Sequence, residues 1–333
     1  MPDKLPFVIL THALPKEWLA SLEGRCMWIE GPPAEQQNRP GLDARLATRL
    51  PEAQGLFCLL TIPVTQDILD QAPQLRVVSN MAVGVDNVDL AACTRRGIPV
   101  GNTPGVLTEA TADLSMALIL ATARRLTEAG VDAKAGRWTT WNPTGWLGTD
   151  LDGAVLGIAG MGKIGRAVAK RAYAFGMQLI YTDSTPVPEI EEQLGAVFVS
   201  FDDLLARSDI LSLHVPLSTE TRGMIGESAL RQMKPTSILI NAARGPVVET
   251  AALQRALEQG WIRAAALDVT DPEPLPAGHP LYNLPNCLIV PHIGSATHHT
   301  RRRMAELACQ NLLAGLEGRR LPFCANPEVY THS

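Results

Sequence analysis

Arg244, Glu273 and His292 are three residues whose types and setting could do chemistry together, since each stands just after or beside an apolar stretch that reads as a strand. Arg244 follows Ile238-Leu239-Ile240-Asn241-Ala242-Ala243. Its planar guanidinium can grip a carboxylate through two parallel N–H···O bonds and polarise a neighbouring carbonyl. A loop arginine paired with a surface acid is the plainer reading of the same residue. Glu273 lies in Asp271-Pro272-Glu273-Pro274, where two prolines stiffen the backbone around one acid. His292 ends Leu288-Ile289-Val290-Pro291-His292, and taken alone it is an ordinary loop histidine. A carboxylate beside an imidazole, however, favours the charged ring and fixes its tautomer. Such a pair suits a group that gives a proton to a carbonyl oxygen as hydride arrives.

Hydride needs a donor, and a second motif offers a place for one. Val155-Leu156-Gly157-Ile158-Ala159 runs into Gly160, Gly162 and Gly165 in G-x-G-x-x-G register, then continues in a helical pattern. The first glycine permits a sharp turn, the second lets a pyrophosphate approach bare main chain, and the third lets the helix pack on the strand. Phosphate oxygens would meet the unpaired N–H groups of the helix start. Glycine-rich turns are common, so the register alone is weak. The next strand pattern, 178–183, ends in Asp183, at about the 20-residue spacing where an acid accepts adenosine ribose hydroxyls. The expected cofactor is NAD rather than NADP: Asp183 would lie against a 2′-phosphate, and Ser184, Thr185 and Pro186 bring no arginine to rescue it.

The elements that must position these residues are α/β throughout. Short strand patterns at 7–10, 26–29, 55–60 and 76–80 alternate with helix patterns at 15–22, 42–50 and 65–71, with a proline-rich loop running through Pro40. Strands alternating with helices imply a parallel sheet covered on both faces. A long helix, capped by Thr108 or Thr111, is expected to run to about Thr127. Strands at 196–199, 210–215, 237–242, 264–269 and 287–290 then complete a second doubly wound sheet, and a helix over 300–315 is expected to return to the first domain. The domains expected are therefore 1–102 with 298–333, discontinuous, and 103–297, the dinucleotide-binding domain with its long helix. At 333 residues two cores are the natural expectation.

Composition limits the partners. The net charge of −5 gives no electrostatic case for nucleic acid. The apolar helical run 115–123, flanked by Asp113 and Arg124, falls short of the roughly 18 residues that span a bilayer. The opening Met1-Pro2-Asp3-Lys4-Leu5-Pro6 has no signal-peptide pattern, so a cytoplasmic protein is expected. Six cysteines without C-x-x-C spacing read as reduced core thiols. His292, His298 and His299 do not have zinc-ligand spacing, and no metal is expected. Arg301-Arg302-Arg303 reads as a solvated helix face. Trp138 and Trp141, in a polar loop, read as core or interface aromatics. The turn Asn80-Met81-Ala82-Val83-Gly84-Val85-Asp86-Asn87 could hold an anion on its amides, or be an ordinary βα turn.

Four ordered motifs carry a family resemblance: Gly160-x-Gly162-x-x-Gly165, Asn241-Ala242-Ala243-Arg244-Gly245, Ala266-Leu267-Asp268-Val269 with Glu273-Pro274, and Pro291-His292-Ile293-Gly294-Ser295. Together they resemble the D-isomer-specific 2-hydroxyacid dehydrogenases over nearly the whole chain. Met81-Ala82-Val83-Gly84-Val85-Asp86, Thr103-Pro104-Gly105-Val106-Leu107-Thr108 and Trp138-Thr139-Thr140-Trp141 are most similar to the glyoxylate/hydroxypyruvate reductases. The resemblance implies a Rossmann NAD-binding domain, a flavodoxin-like substrate domain, and reduction of a small 2-keto acid to the D-2-hydroxy acid. It assigns Arg244 to the substrate carboxylate, His292 to general acid/base work and Glu273 to orienting it. Cofactor contacts are implied at Thr108, Gly160, Gly162, Lys163, Ile164, Gly165, Asp183, His214, Pro216, Ala242, Ala243, Asp268 and Gly294. Substrate contacts are implied at Met81, Val83, Gly84, Arg244, Ser295 and Trp141, the last from the second subunit of a homodimer built on the Rossmann domain. Asp183 departs from eukaryotic glyoxylate reductases that prefer NADP, which carry a small residue followed by Arg. Phosphite dehydrogenase has a similar layout but a lysine where Val83 stands. An NAD-sensing corepressor of the C-terminal-binding-protein type, which shares the fold and the catalytic residues, is the rival from another class; such proteins need a peptide groove and usually carry disordered tails.

Overall fold

The computed structural model describes residues 5–33 and 41–331, and the chain divides into two compact units, Met1–Leu107 with Thr297–Ser333 and Thr108–Ala296. Residues 34–40 of the expected proline-rich loop, and 1–4 at the start, lie outside the described residues.

The first unit holds strands β1 (Phe7–Leu10), β2 (Met27–Glu30), β3 (Gly55–Cys58), β4 (Val77–Asn80) and β5 (Val100–Gly101), all parallel, in the order β2-β1-β3-β4-β5. Every residue of β3 and β4 is buried while the edge strand β2 is not, as expected of a parallel sheet covered on both faces. One cover is the closing helix, His298–Leu316, whose N-cap Thr297 accepts from Thr300 N. It is bonded to the sheet as well as packed on it. Ser79 Oγ donates to Ala308 O at 2.7 Å, and Asn311 Nδ2 donates to Asn102 O at 2.9 Å.

The second unit holds β6 (Val155–Ala159), β7 (Gln178–Thr182), β8 (Val197–Phe198), β9 (Ile210–Leu213), β10 (Ile238–Asn241), β11 (Ala264–Leu267) and β12 (Cys287–Ile289). They form one parallel sheet in the order β12-β11-β10-β9-β6-β7-β8, with Ile240 registered between Ser212 and Ala266. The chain leaves β6 in opposite directions on its two sides, which opens a crevice at the carboxyl ends of β6 and β9. Helices Thr108–Ala123 and Lys163–Ala174 share the apolar core on one face of this sheet, with Met116, Ile119, Val168 and Ala172 among its buried residues.

Three helical expectations needed correction. Residues 15–22 form two 3₁₀ turns, Lys16–Trp18 and Ala20–Leu22, in which carbonyls accept from N–H groups three residues on rather than four. Residues 42–50 hold only the single turn Ala44–Ala47, followed by a 3₁₀ turn, Leu50–Glu52, that contains Pro51. The long helix stops at Ala123 rather than Thr127. Arg125 turns left-handed (φ 52°) and a second helix, Leu126–Lys134, restarts. Ala123 O accepts from Thr149 N at 2.8 Å, and the Arg125 guanidinium holds the bend by pairing with Glu128 and stacking 4.9 Å from the Trp146 ring.

Trp138 and Trp141 are not core residues: they are 75% and 80% exposed. The cysteines are free thiols, buried at 26, 58, 93 and 309 and half-buried at 287 and 324, and burial pushes Cys58 up to about 12. Arg302 and Arg303 both pair with Glu306 on the exposed side of the closing helix. Among the described residues no helix is long and apolar enough to cross a membrane.

Candidate active site

The glycine-rich turn joins β6 to the helix Lys163–Ala174. Gly160 adopts φ 94°, and a Cβ there would lie 2.7 Å from the carbonyl carbon of His214. A Cβ on Gly165 would lie 2.1 Å from Gly160 O, whereas a Cβ on Gly162 would meet nothing within 4 Å. Two glycines are thus required by packing, and the third leaves its main chain open. The helix has no side-chain cap, so its first N–H groups remain available to an anion. This is a cradle that fits a dinucleotide pyrophosphate.

Asp183 follows β7 and is tied to the same turn. Its Oδ2 accepts from Met161 N at 2.6 Å, and its Oδ1 accepts from Ser184 N at 2.6 Å. His214 follows β9. Its Nε2 is 2.8 Å from Ser212 Oγ, its Nδ1 is enclosed without a partner among the described residues, and burial pushes the imidazole down to about 4. The ring therefore stays neutral near pH 7.

Arg244, Glu273 and His292 occupy loops beyond β10, β11 and β12 of the second unit's sheet. Asn241, the buried last residue of β10, accepts from Ala243 N at 3.1 Å and donates to Arg244 O at 2.9 Å, fixing the turn that carries the guanidinium. Arg244 Nη1 also donates to Ala243 O at 2.9 Å. Glu273 Oε1 lies 2.5 Å from His292 Nδ1, and Thr270 N donates to Glu273 Oε2 at 3.4 Å. The Asp271-Pro272 and Glu273-Pro274 peptide bonds are both cis. With Nδ1 engaged by the carboxylate, Nε2 is the nitrogen left to meet a substrate, and no described residue takes it.

His292 is held in the left-handed region at φ 50°, a conformation non-glycine residues adopt only when their surroundings enforce it. Asp268 supplies much of that enforcement: its carbonyl accepts from His292 N at 3.0 Å, and its carboxylate accepts from Ile293 N at 2.6 Å and Gly294 N at 2.9 Å. Asp268 itself is 3% exposed. Burial pushes its carboxyl above the ordinary value, against the pull of the Ile293 N–H and the His292 ring.

In the first unit, Met81, Val83 and Gly84 lie in the turn after β4. Sequence reasoning missed what braces it. Asn80 Nδ2 donates to Gly84 O and Asn102 Nδ2 to Val83 O, both at 2.9 Å, and Asn87 Nδ2 donates to Ile62 O at 2.9 Å. A buried asparagine ending an apolar strand pattern, at Asn80 as at Asn241, was the available signal. Thr108 begins the long helix of the second unit. Lys163 and Ile164 open the glycine-turn helix, Pro216 follows β9, Ala242 follows β10, and Ser295 follows Gly294. Trp141 sits in an exposed loop.

The pattern of the family described as D-isomer specific 2-hydroxyacid dehydrogenase, NAD binding domain, matches residues 116–294. The glyoxylate reductase of Aeropyrum pernix is 51% identical over 288 residues, which is 85% of this chain and 86% of that protein. The glyoxylate reductase of Korarchaeum cryptofilum is 45% identical over 329 residues, 97% of each chain. A crystal structure of a Thermus thermophilus protein matches with a TM-score of 0.88 at 47% identity, covering 96% of this chain and 99% of the other. Residue pattern, sheet order and these likenesses agree: the chain belongs to the D-isomer-specific 2-hydroxyacid dehydrogenases, enzymes that work with a nicotinamide cofactor.

Proposed function

We propose that this enzyme reduces a small 2-keto acid, glyoxylate or hydroxypyruvate, to the 2-hydroxy acid of D configuration where a centre is formed, with NADH preferred over NADPH. The observation that carries the reading is the 2.5 Å contact of Glu273 with His292 Nδ1, which leaves Nε2 to act on substrate. Glu273 fixes the tautomer and orientation of the ring, so His292 can give an Nε2 proton to the keto oxygen and take it back in the reverse direction. Arg244 binds the substrate carboxylate through its fork. The bare amides of Val83 and Gly84 are a second group able to hold such an anion, with Met81 and Ser295 as further substrate contacts.

The cofactor, when bound, supplies the hydride. Gly160, Gly162, Lys163, Ile164 and Gly165 would hold its pyrophosphate, Asp183 its adenosine ribose, and Thr108, His214, Pro216, Ala242, Ala243, Asp268 and Gly294 the remainder. Residues 1–102 with 298–333 serve as the substrate domain in this reading, and 103–297 as the cofactor domain. We further place the enzyme as a homodimer, because Leu126, Val131, Trp138, Trp141, Trp146 and Leu147 are all exposed within one short stretch. Trp141 would then close the pocket of the second copy. The six free thiols suit a reducing compartment, the cytoplasm.

Steady-state turnover of glyoxylate, hydroxypyruvate, pyruvate and phenylpyruvate with each reduced cofactor, and of phosphite with NAD⁺, tests the proposal. The expected ranking puts the two- and three-carbon acids first, with NADH ahead of NADPH. Phenylpyruvate turning over as efficiently as glyoxylate would overturn the small-pocket assignment, and phosphite oxidation would replace the reaction altogether.

A further inference from the structure

Met161, inside the glycine-rich turn, is gripped from two sides. Its N–H donates to Asp183 Oδ2 at 2.6 Å, and its carbonyl accepts from Arg166 Nε at 3.0 Å. The carboxylate expected to meet the adenosine ribose and a guanidinium therefore flank one residue. The two charges are used differently. Asp183 is anchored by N–H groups of Met161 and Ser184 and by the Ser184 hydroxyl, none of them cationic, so its negative charge is not neutralised by these partners. Arg166 is neutralised, because its Nη1 donates to Glu189 Oε2 at 3.2 Å, with side-chain exposures of 40% and 58%. Glu189 stands in the first turn of the helix Pro188–Leu194, just beyond the loop that follows Asp183.

We propose that Arg166 and Glu189 set the choice between NADH and NADPH, Glu189 withholding from a 2′-phosphate the arginine placed to receive it. This rests on the reading that the Gly160–Gly165 turn binds the dinucleotide. Asp183, Glu189 and Arg166 together carry a net charge of −1, which opposes a dianionic phosphate beside the ribose. Ser184, Thr185 and Pro186 supply no cation. Removing the Glu189 charge brings that sum to zero and frees Nη1 of Arg166, whose planar fork matches phosphate oxygens. Because the pair is partly solvated, the gain is moderate, about tenfold in affinity.

Calorimetric titration with adenosine 2′,5′-bisphosphate and with 5′-AMP reads this without turnover. Glu189→Gln is expected to tighten the 2′,5′-bisphosphate about tenfold and to leave 5′-AMP within about twofold. Adding Arg166→Gln to Glu189→Gln is expected to cancel the gain, and kcat/KM for NADPH should follow the same order. Raising ionic strength should shrink the difference. An equal change for both nucleotides, no change for either, or a gain that survives the loss of Arg166 would each overturn the proposal, the last pointing to exposed Lys163 instead. Failure of the unmodified protein to bind either nucleotide would remove the dinucleotide reading itself, which is a different result from a ratio that does not respond to Glu189.

Discussion

Two turns at the carboxyl ends of the two sheets are built with the same brace and present opposite kinds of chemistry. Asn80 ends β4 and Asn241 ends β10. Both are buried, and each sends its side-chain amide to a carbonyl farther along its own turn, Gly84 O and Arg244 O, at 2.9 Å. The Asn241 turn presents a guanidinium, beside loops that present Glu273 and His292. The Asn80 turn presents no charged side chain before Asp86, only apolar side chains and main chain. Among the described residues the N–H groups of Met81 and Ala82 are bonded, while those of Val83 and Gly84 have no acceptor. One sheet edge thus presents side chains on a turn held by backbone and amide bonds. The other presents two main-chain N–H groups on a turn held by side-chain bonds. A buried strand-end asparagine serves both, because it can donate and accept within the same turn.

The comparison breaks most sharply at His292. His292→Ala is expected to lower kcat roughly 10²–10⁴-fold while NADH binding, read by fluorescence quenching, is retained. Turnover near that of the unmodified protein would mean that the side-chain edge is not where the proton moves. Next in size, Arg244→Lys should lower kcat/KM about 10–10²-fold, since an ammonium cannot reproduce the two-toothed grip. A merely electrostatic role for Arg244 would show as almost full activity in the lysine variant.

The asparagines sharpen the contrast. Asn241→Ala and Asn80→Ala each leave partly buried partners unbonded, and both should destabilise the fold by about 1–2 kcal/mol in urea titrations. Their kinetic signatures should differ. Asn241→Ala is expected to lower kcat and raise the substrate KM by releasing Arg244, whereas Asn80→Ala should raise KM several-fold with kcat held. Identical signatures would mean that the two turns serve a single step.

The smallest effect concerns pH. The imidazole of His214 falls from its ordinary 6.5 to about 4 in the fold because burial disfavours the charged ring. Between these values the unfolded chain binds a proton that the folded chain refuses, so this contribution to stability is full above pH 6.5 and is lost as pH falls toward 4. His214→Gln should flatten the decline in urea midpoint between pH 7 and pH 5. An unchanged slope would show that the ring takes up its proton in the fold as readily as out of it.

Much of this molecule was legible in one dimension, for a physical reason. Strand patterns, the glycine register and the types of Arg244, Glu273, His292 and Asp183 are properties of short segments or single residues, and local sterics and side-chain chemistry do not wait for the fold. Two parallel-sheet units follow from those local properties alone. What only the tertiary structure decided are facts about partners distant in sequence. Asp268 holds His292 left-handed across an intervening loop and strand, Thr149 draws off the Ala123 carbonyl so that a helix breaks at Arg125, and Glu189 holds the arginine beside Met161. The anion-ready amides of Val83 and Gly84 belong with these, because an unbonded N–H is identified by subtraction, after every other hydrogen bond around it has found its place.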